Sequence, residues 1–173
     1  MAAKKYLKIN SSGEVAQGTG VVTSAGAGND GDLVALDSTG KLDPSVLPVG
    51  VGPDVKVLLA SESLNAGSYV NIWNDAGTEK VRLADNSSGR DAHGFVNTAV
   101  SSGASATVYF EGPNNDLTGL TPGARYYLGT AGAATSTPLD PNLLANANKV
   151  HQFLGIAISA TEINTDIDDK IVL

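Results

Sequence analysis

The sequence predicts an all-β protein, a small antiparallel barrel or sandwich preceded by an extended, glycine-rich N-terminal arm. Three observations carry this expectation. Apolar residues gather in runs of four to nine, many alternating at period two and nearly all bounded by Gly, Asn, Asp or Pro. Four stretches share one turn chemistry, with Asn or Asp first and Gly fourth: Asn10-Ser11-Ser12-Gly13-Glu14, Asp37-Ser38-Thr39-Gly40-Lys41, Asn74-Asp75-Ala76-Gly77-Thr78 and Asn86-Ser87-Ser88-Gly89-Arg90. That order suits a type I turn followed by a left-handed residue, as in hairpin loops of three to five residues. Helical periodicity is scarce, and its one candidate is the short segment 141–148 with Asp140 as cap.

In chain order, residues 6–9 alternate and lead into the first turn, and residues 55–60 form a second strand. Residues 69–73 and 80–84 flank the third turn. In the first of these, Tyr69, Asn71 and Trp73 share one face and Val70 and Ile72 the other. Residues 92–100, 106–110, 124–128, 150–159 and 170–173 continue the series. The turns are irregularly spaced, which excludes a solenoid repeat and leaves the corners of one antiparallel structure.

Residues 10–52 differ from the rest. They hold nine glycines and no aromatic residue, and their large apolar side chains are mainly Val21, Val22, Leu33, Val34, Leu36, Leu42, Val46 and Leu47. Such a segment cannot offset its ordering entropy with a core of its own. It is expected to be disordered or to order against another chain. Within it, Leu42-Asp43-Pro44-Ser45-Val46-Leu47-Pro48 fits a short helical turn capped by Asp43, opened by Pro44 and stopped by Pro48. The expected division is an arm over 1–52 and a β-domain over 53–173.

The arm also contains Gly26-Ala27-Gly28-Asn29-Asp30-Gly31, a literal match to the G-x-G-x-x-G dinucleotide pattern. That pattern works only where a strand feeds a helix whose first N–H groups meet the pyrophosphate. The five residues before the next turn are too few for such a helix, so the glycines read as bending backbone. No cofactor is expected.

Composition removes other classes. The absence of Cys excludes disulfides, thiolate catalysis and zinc thiolate sites. A net charge of −7 argues against nucleic acid, the only basic cluster being Lys4, Lys5 and Lys8. No signal-peptide h-region and no apolar run of membrane-spanning length is visible, so a protein made and used without secretion, and without a membrane partner, is expected. The two histidines, His93 and His151, lack metal-binding or catalytic spacing and read as structural or surface residues. Asp30 with Asp32, and Asp166, Asp168 and Asp169, read as solvated turns rather than calcium loops. Trp73, Tyr69, Tyr126 and Tyr127 are expected to serve the core, with sugar stacking as the alternative. No catalytic, cofactor or metal site emerges, so the chain reads as a binding or building part and not an enzyme.

Two C-terminal stretches carry a resemblance. Leu117-Thr118-Gly119-Leu120-Thr121-Pro122-Gly123-Ala124-Arg125-Tyr126-Tyr127-Leu128, followed by Phe153-Leu154-Gly155-Ile156-Ala157-Ile158-Ser159-Ala160-Thr161-Glu162-Ile163, resembles the end of structural virion proteins of tailed bacteriophages, the head-decoration, cement and head-fibre group. Residues 31–48, GDLVALDSTGKLDPSVLP, are similar to a linking segment in phage decoration and fibre proteins. The resemblance implies a β-barrel or β-tulip-like domain, usually trimeric, on the outside of a capsid, with the arm tying it to the shell or to its own trimer. The implied partners are the major capsid protein and further copies of the chain. Candidate contacts are Leu33, Leu36, Leu42, Val46 and Leu47, apolar residues without an evident local core. A tail-fibre or collar component and a carbohydrate-binding adhesin using Trp73 or Tyr126 and Tyr127 are the alternatives, with a depolymerase as the enzymatic one.

Overall fold

The computed structural model describes residues 5–47 and 54–173, and the chain divides into two compact units, Met1–Gly52 and Pro53–Leu173. Lys4 of the basic cluster and the stop at Pro48 lie outside the described residues.

In the first unit, β1 (Lys5–Ile9) and β2 (Val15–Thr19) form an antiparallel hairpin in which Ile9 faces Val15 and Leu7 faces Gln17. The Asn10 side chain builds the turn by accepting the N–H groups of Ser12 and Glu14, both at 2.9 Å, while Gly13 takes a left-handed φ of 80°. Tyr6 pairs with Gly18 across the hairpin, where a Cβ would come within 2.6 Å of the Tyr6 ring. The ring lies over the glycine, and its hydroxyl donates to Asp32 at 3.3 Å. Beyond the hairpin come two short 3₁₀ turns, Gly26–Asn29 and Pro44–Val46, and a single parallel bridge between Val21 and Val34. Asp43 caps the second turn by accepting the Ser45 N–H at 2.9 Å. In residues 5–47, Gly18 is buried and no described side chain is.

The second unit is all-β. Strands β3 (Val55–Ala60), β4 (Tyr69–Asp75), β5 (Thr78–Leu83), β6 (Gly94–Phe95) and β7 (Ser105–Tyr109) close into a barrel in the order β3-β5-β4-β6-β7. Its seams are antiparallel except β3–β5, a parallel contact of two residue pairs. Alternation sends Leu58, Ala60, Val70, Val81, Ala106 and Val108 inward, and all are buried.

Strands β8 (Gly112–Asn114), β9 (Arg125–Leu128), β10 (Ala134–Thr135), β11 (Val150–His151), β12 (Phe153–Ala157), β13 (Ile163–Thr165) and β14 (Ile171–Val172) follow. Five of them form a sheet ordered β10-β9-β12-β13-β8, and β11 pairs with β14. This sheet packs on the barrel's outer face, because Tyr69 and Phe95 of the barrel share a buried cluster with Leu128 and Leu154 of the sheet. The two faces of β4 therefore serve two cores: Val70 fills the barrel and Tyr69 the layer outside it. The buried Tyr69 hydroxyl is satisfied by Thr165 at 3.1 Å.

Several elements differ from the sequence expectation. The turn at 74–78 is a two-residue loop, with Ala76 at φ 51° and Gly77 at φ 93°, the paired positive angles of a type I′ hairpin. The fourth turn starts one residue earlier than the pattern suggests. Asp85 accepts the Ser87 N–H at 2.8 Å, while Asn86 is buried and donates to the Leu128 carbonyl at 2.9 Å. Segment 92–100 keeps only β6, and 150–159 breaks at Gln152, whose amide bonds both backbone groups of Ala92 at 2.7 and 3.0 Å. The helix expected over 141–148 is one 3₁₀ turn, Leu144–Asn146.

Candidate interaction surfaces

The five predicted contact residues divide by exposure. Leu33, Leu36 and Leu42 are exposed, whereas Val46 and Leu47 are half-buried. Val46 lines a hollow with Val21, Val34, Gly26 and Gly31, so it belongs partly to the arm's own turn structure.

A second apolar surface, which the sequence reading passed over, lies on the hairpin. One face carries Tyr6 over Gly18. The other carries Leu7, Ile9 and Val15, which are 74, 66 and 69% exposed. Ile9 and Val15 are directly paired, so their side chains stand side by side in one patch. The signal was available in the alternation of Leu7 and Ile9; β2, reading Val-Ala-Gln-Gly-Thr, hid it.

The barrel has a matching stripe. On β3 the inward residues are Leu58 and Ala60, and the outward ones are Val55, Val57 and Leu59, all exposed, with Val57 at 62%. Opposite them on β7 stand Tyr109, Thr107 and Ser105, none charged.

The sheet and barrel also frame two adjoining hollows. The first is lined by the stacked rings of Phe95 and Tyr109, 5.6 Å between centroids, with Asp54, Glu111, Asn97 and Asp166 around them. The second shares Glu111 and Asp166 and adds Asp91, His93, Asp168, Asp169 and Lys170. Lys170 reaches Asp91 at 3.1 Å. Burial works to raise the Asp91 pKa, but the hydrogen bond from Lys170 and its positive charge outweigh it and leave the carboxyl below its ordinary value. Among the described residues, no three carboxylates or histidines gather closely enough to hold a metal ion.

Both histidines have structural neighbours. His93 Nδ1 accepts the Ile72 N–H at 3.0 Å, and its Nε2 lies 3.2 Å from Asp91. His151 stacks on Tyr127 with 5.0 Å between centroids. The aromatic residues offered for sugar stacking are engaged as well. Tyr126 is buried and its hydroxyl accepts the Thr121 N–H at 3.0 Å; Tyr127 lies between His151 and Phe153; the Arg82 guanidinium covers Trp73 at 4.5 Å. In the glycine pattern at 26–31, Gly26–Asn29 is a 3₁₀ turn, too short for a phosphate-binding helix N-terminus, and the Ala25 and Gly26 amides bond to Asn29 and Ser24 side chains at 2.6 and 3.1 Å.

No protein-family model matches the chain, and no curated protein matches it. Among solved structures, the head fiber gp8.5 N base of bacteriophage phi29 is similar over 66% of this chain and 92% of that one, at 15% identity and a TM-score of 0.44. At that identity and TM-score the likeness carries no inference about function.

Proposed function

We propose that the chain is a non-enzymatic structural part of a tailed-phage virion, which decorates the outside of the head and stabilises the shell by bridging neighbouring capsid subunits. The observation that carries this is the lack of a core in residues 5–47. No described side chain there is buried, while Leu7, Ile9, Val15, Leu33, Val34 and Leu42 are exposed. A two-stranded hairpin is marginal in water without a further layer, so this unit is suited to completion by another chain. The stretches at 31–48, 117–128 and 153–163 support the phage reading, and the arm residues Leu33, Leu36, Leu42, Val46 and Leu47 are the proposed contacts with the major capsid protein or a neighbouring copy. The working form is a homotrimer. Binding only the assembled shell would stabilise it by mass action summed over many copies. The engaged states of Trp73, Tyr126 and Tyr127 disfavour the sugar-binding alternative.

Immunogold labelling of tailed-phage particles that carry this chain's gene, with antibody raised against the purified protein, tests the reading. Many gold particles spread over the head support it. Label confined to the tail or collar replaces decoration with a fibre role, and unlabelled particles overturn it.

A further inference from the structure

We infer that the hollow beside Trp73 on the barrel's outer face binds a small hydroxylated monocarboxylate, the chemistry of a sugar acid. This goes beyond the virion reading and does not rest on it. Strand pairing builds the site. Period two puts Asn71, Trp73 and Asp75 on one face of β4, and the register sets Arg82 opposite Asn71 and Lys80 opposite Trp73. Glu62 and Arg90, from the flanking loops, complete a hollow of about 420 Å³, within the usual range for small-molecule sites.

Charge sets the sign of the ligand. The charged groups lining the hollow are Lys80, Arg82, Arg90, Glu62 and Asp75, three cations against two carboxylates in a chain of net −7. Lys80 pairs with Asp75 at 2.7 Å and Arg90 lies 3.7 Å from Glu62, whereas Arg82 has no carboxylate partner among the described residues. Asp91, which Asn71 also meets at 3.5 Å, is taken by Lys170 at 3.1 Å. The Arg82 guanidinium is also held in place. Its Nε donates to Asn71 at 3.0 Å, it covers Trp73 at 4.5 Å, and the indole is itself tied to Ser61 at 3.3 Å. Burial and the Arg90 charge push the Arg82 pKa down, with Glu62 opposing them, as for a cation short of counter-charge. A fixed planar fork with free N–H groups, beside a second guanidinium, is a carboxylate receptor.

One surplus positive charge suits a monoanion, and the second charge of a phosphate would meet Glu62 and Asp75. These two carboxylates also select for hydroxyls. Glu62 Oε2 and Asp75 Oδ1 accept no hydrogen bond among the described residues, and Ser102 Oγ, which donates to the Ser61 carbonyl at 3.2 Å, keeps its lone pairs. Such acceptors take sugar hydroxyls while the guanidiniums take the carboxylate. A partner's aspartate or glutamate side chain brings no hydroxyl and fills only part of the hollow. Arg82 occupies the Trp73 face, so recognition comes from charge and not from the ring stacking disfavoured above.

Trp73 is the only tryptophan in the chain, so its fluorescence reports this site alone. The full-length protein is titrated with glucuronate, a galacturonate trimer, glucose, inorganic phosphate and a short polyglutamate peptide, with affinities taken from calorimetry. The expected result is saturable glucuronate binding with a change in Trp73 emission, and binding at least about tenfold weaker for glucose, phosphate and peptide. A trimer bound as well as the monomer or better identifies a polysaccharide residue as the ligand, and a trimer bound less well identifies a free sugar acid. Arg82→Gln and Arg90→Gln should each weaken glucuronate binding about tenfold or more, and Lys149→Gln, outside the hollow, should not. The Arg90 side chain is 36% exposed, so its variant serves even where Arg82→Gln disturbs the barrel, which thermal unfolding checks. No binding of either acid, glucose bound as tightly as glucuronate, phosphate or peptide bound more tightly, or undiminished affinity in either arginine variant would overturn the inference.

Discussion

Val70, Val81, Leu154 and Ile163 in the barrel unit have no exposed surface, whereas Leu7, Ile9 and Val15 in the hairpin unit keep most of theirs. Both units are built from short strands and Asn/Asp–Gly turns, so local structure does not separate them. What separates them is the number of layers. Residues 54–173 stack a closed barrel against a five-stranded sheet, and β4 feeds a core on each of its faces. Residues 5–47 have one hairpin and two 3₁₀ turns, hence one layer and no inside. Turn chemistry shapes a chain, but burial between layers makes it independently stable.

The contrast can be broken most forcefully in the barrel unit. Leu154→Ala empties a fully buried position and should cost about 2–5 kcal/mol, read by denaturant unfolding. Gly155→Ala comes next. Gly155 sits at φ 152° beside a register shift, and a Cβ there would collide with the Asn164 carbonyl and the Ile163 side chain, an overpacking cost of about 1–3 kcal/mol. Gly77→Ala should cost about 1–2 kcal/mol, since open space surrounds it but its left-handed φ penalises a Cβ.

Acid should weaken the barrel unit more gently. At Asp85 burial acts to raise the pKa, but hydrogen bonds from Ser87, Ala131 and Ser88 outweigh it and lower the value, as the Lys170 contact does for Asp91. A carboxylate whose folded pKa is depressed adds stability above the unfolded value, near 3.9, and loses it as pH falls through the folded value. The melting temperature should therefore hold from pH 7 to about 5 and drop below about 4, with a smaller drop in Asp85→Asn. A drop of the same size in the variant would remove Asp85 from the account. The smallest effect belongs to the arm: Leu33→Ser and Leu42→Ser should change the stability of the isolated chain by less than about 0.5 kcal/mol. A larger loss would mean that these residues have a core after all.

The sequence made much of this legible. Alternation located β1, β4 and β5, and apolar runs bounded by turn residues located β3, β7 and β9, nearly to their ends. The division of β4 into a Tyr69 face and a Val70 face was also readable, though not that both faces are buried. Strands β2, β8, β10 and β13 were not legible. They read Val-Ala-Gln-Gly-Thr, Gly-Pro-Asn, Ala-Thr and Ile-Asn-Thr, and neighbouring strands hold them in place more than their own propensity does. The Asp85 turn was misplaced by one residue because Asn86 and Asp85 have the same turn chemistry, and only the buried bond to Leu128 tells them apart. In the arm, composition pointed to a segment without a core, yet the hairpin face at Leu7, Ile9 and Val15 went unseen because Val15, which completes it beside Ile9, lies on the illegible β2.

The most direct test of the missing core is hydrogen exchange on the whole chain, in dilute solution and when bound to phage heads. The account predicts that β4, β5 and β7 amides are protected in both states, whereas β1 and β2 amides exchange rapidly when free and slowly when bound. Hairpin amides protected as strongly as the barrel's in the dilute single chain would show that the unit is already complete, and would contradict the claim.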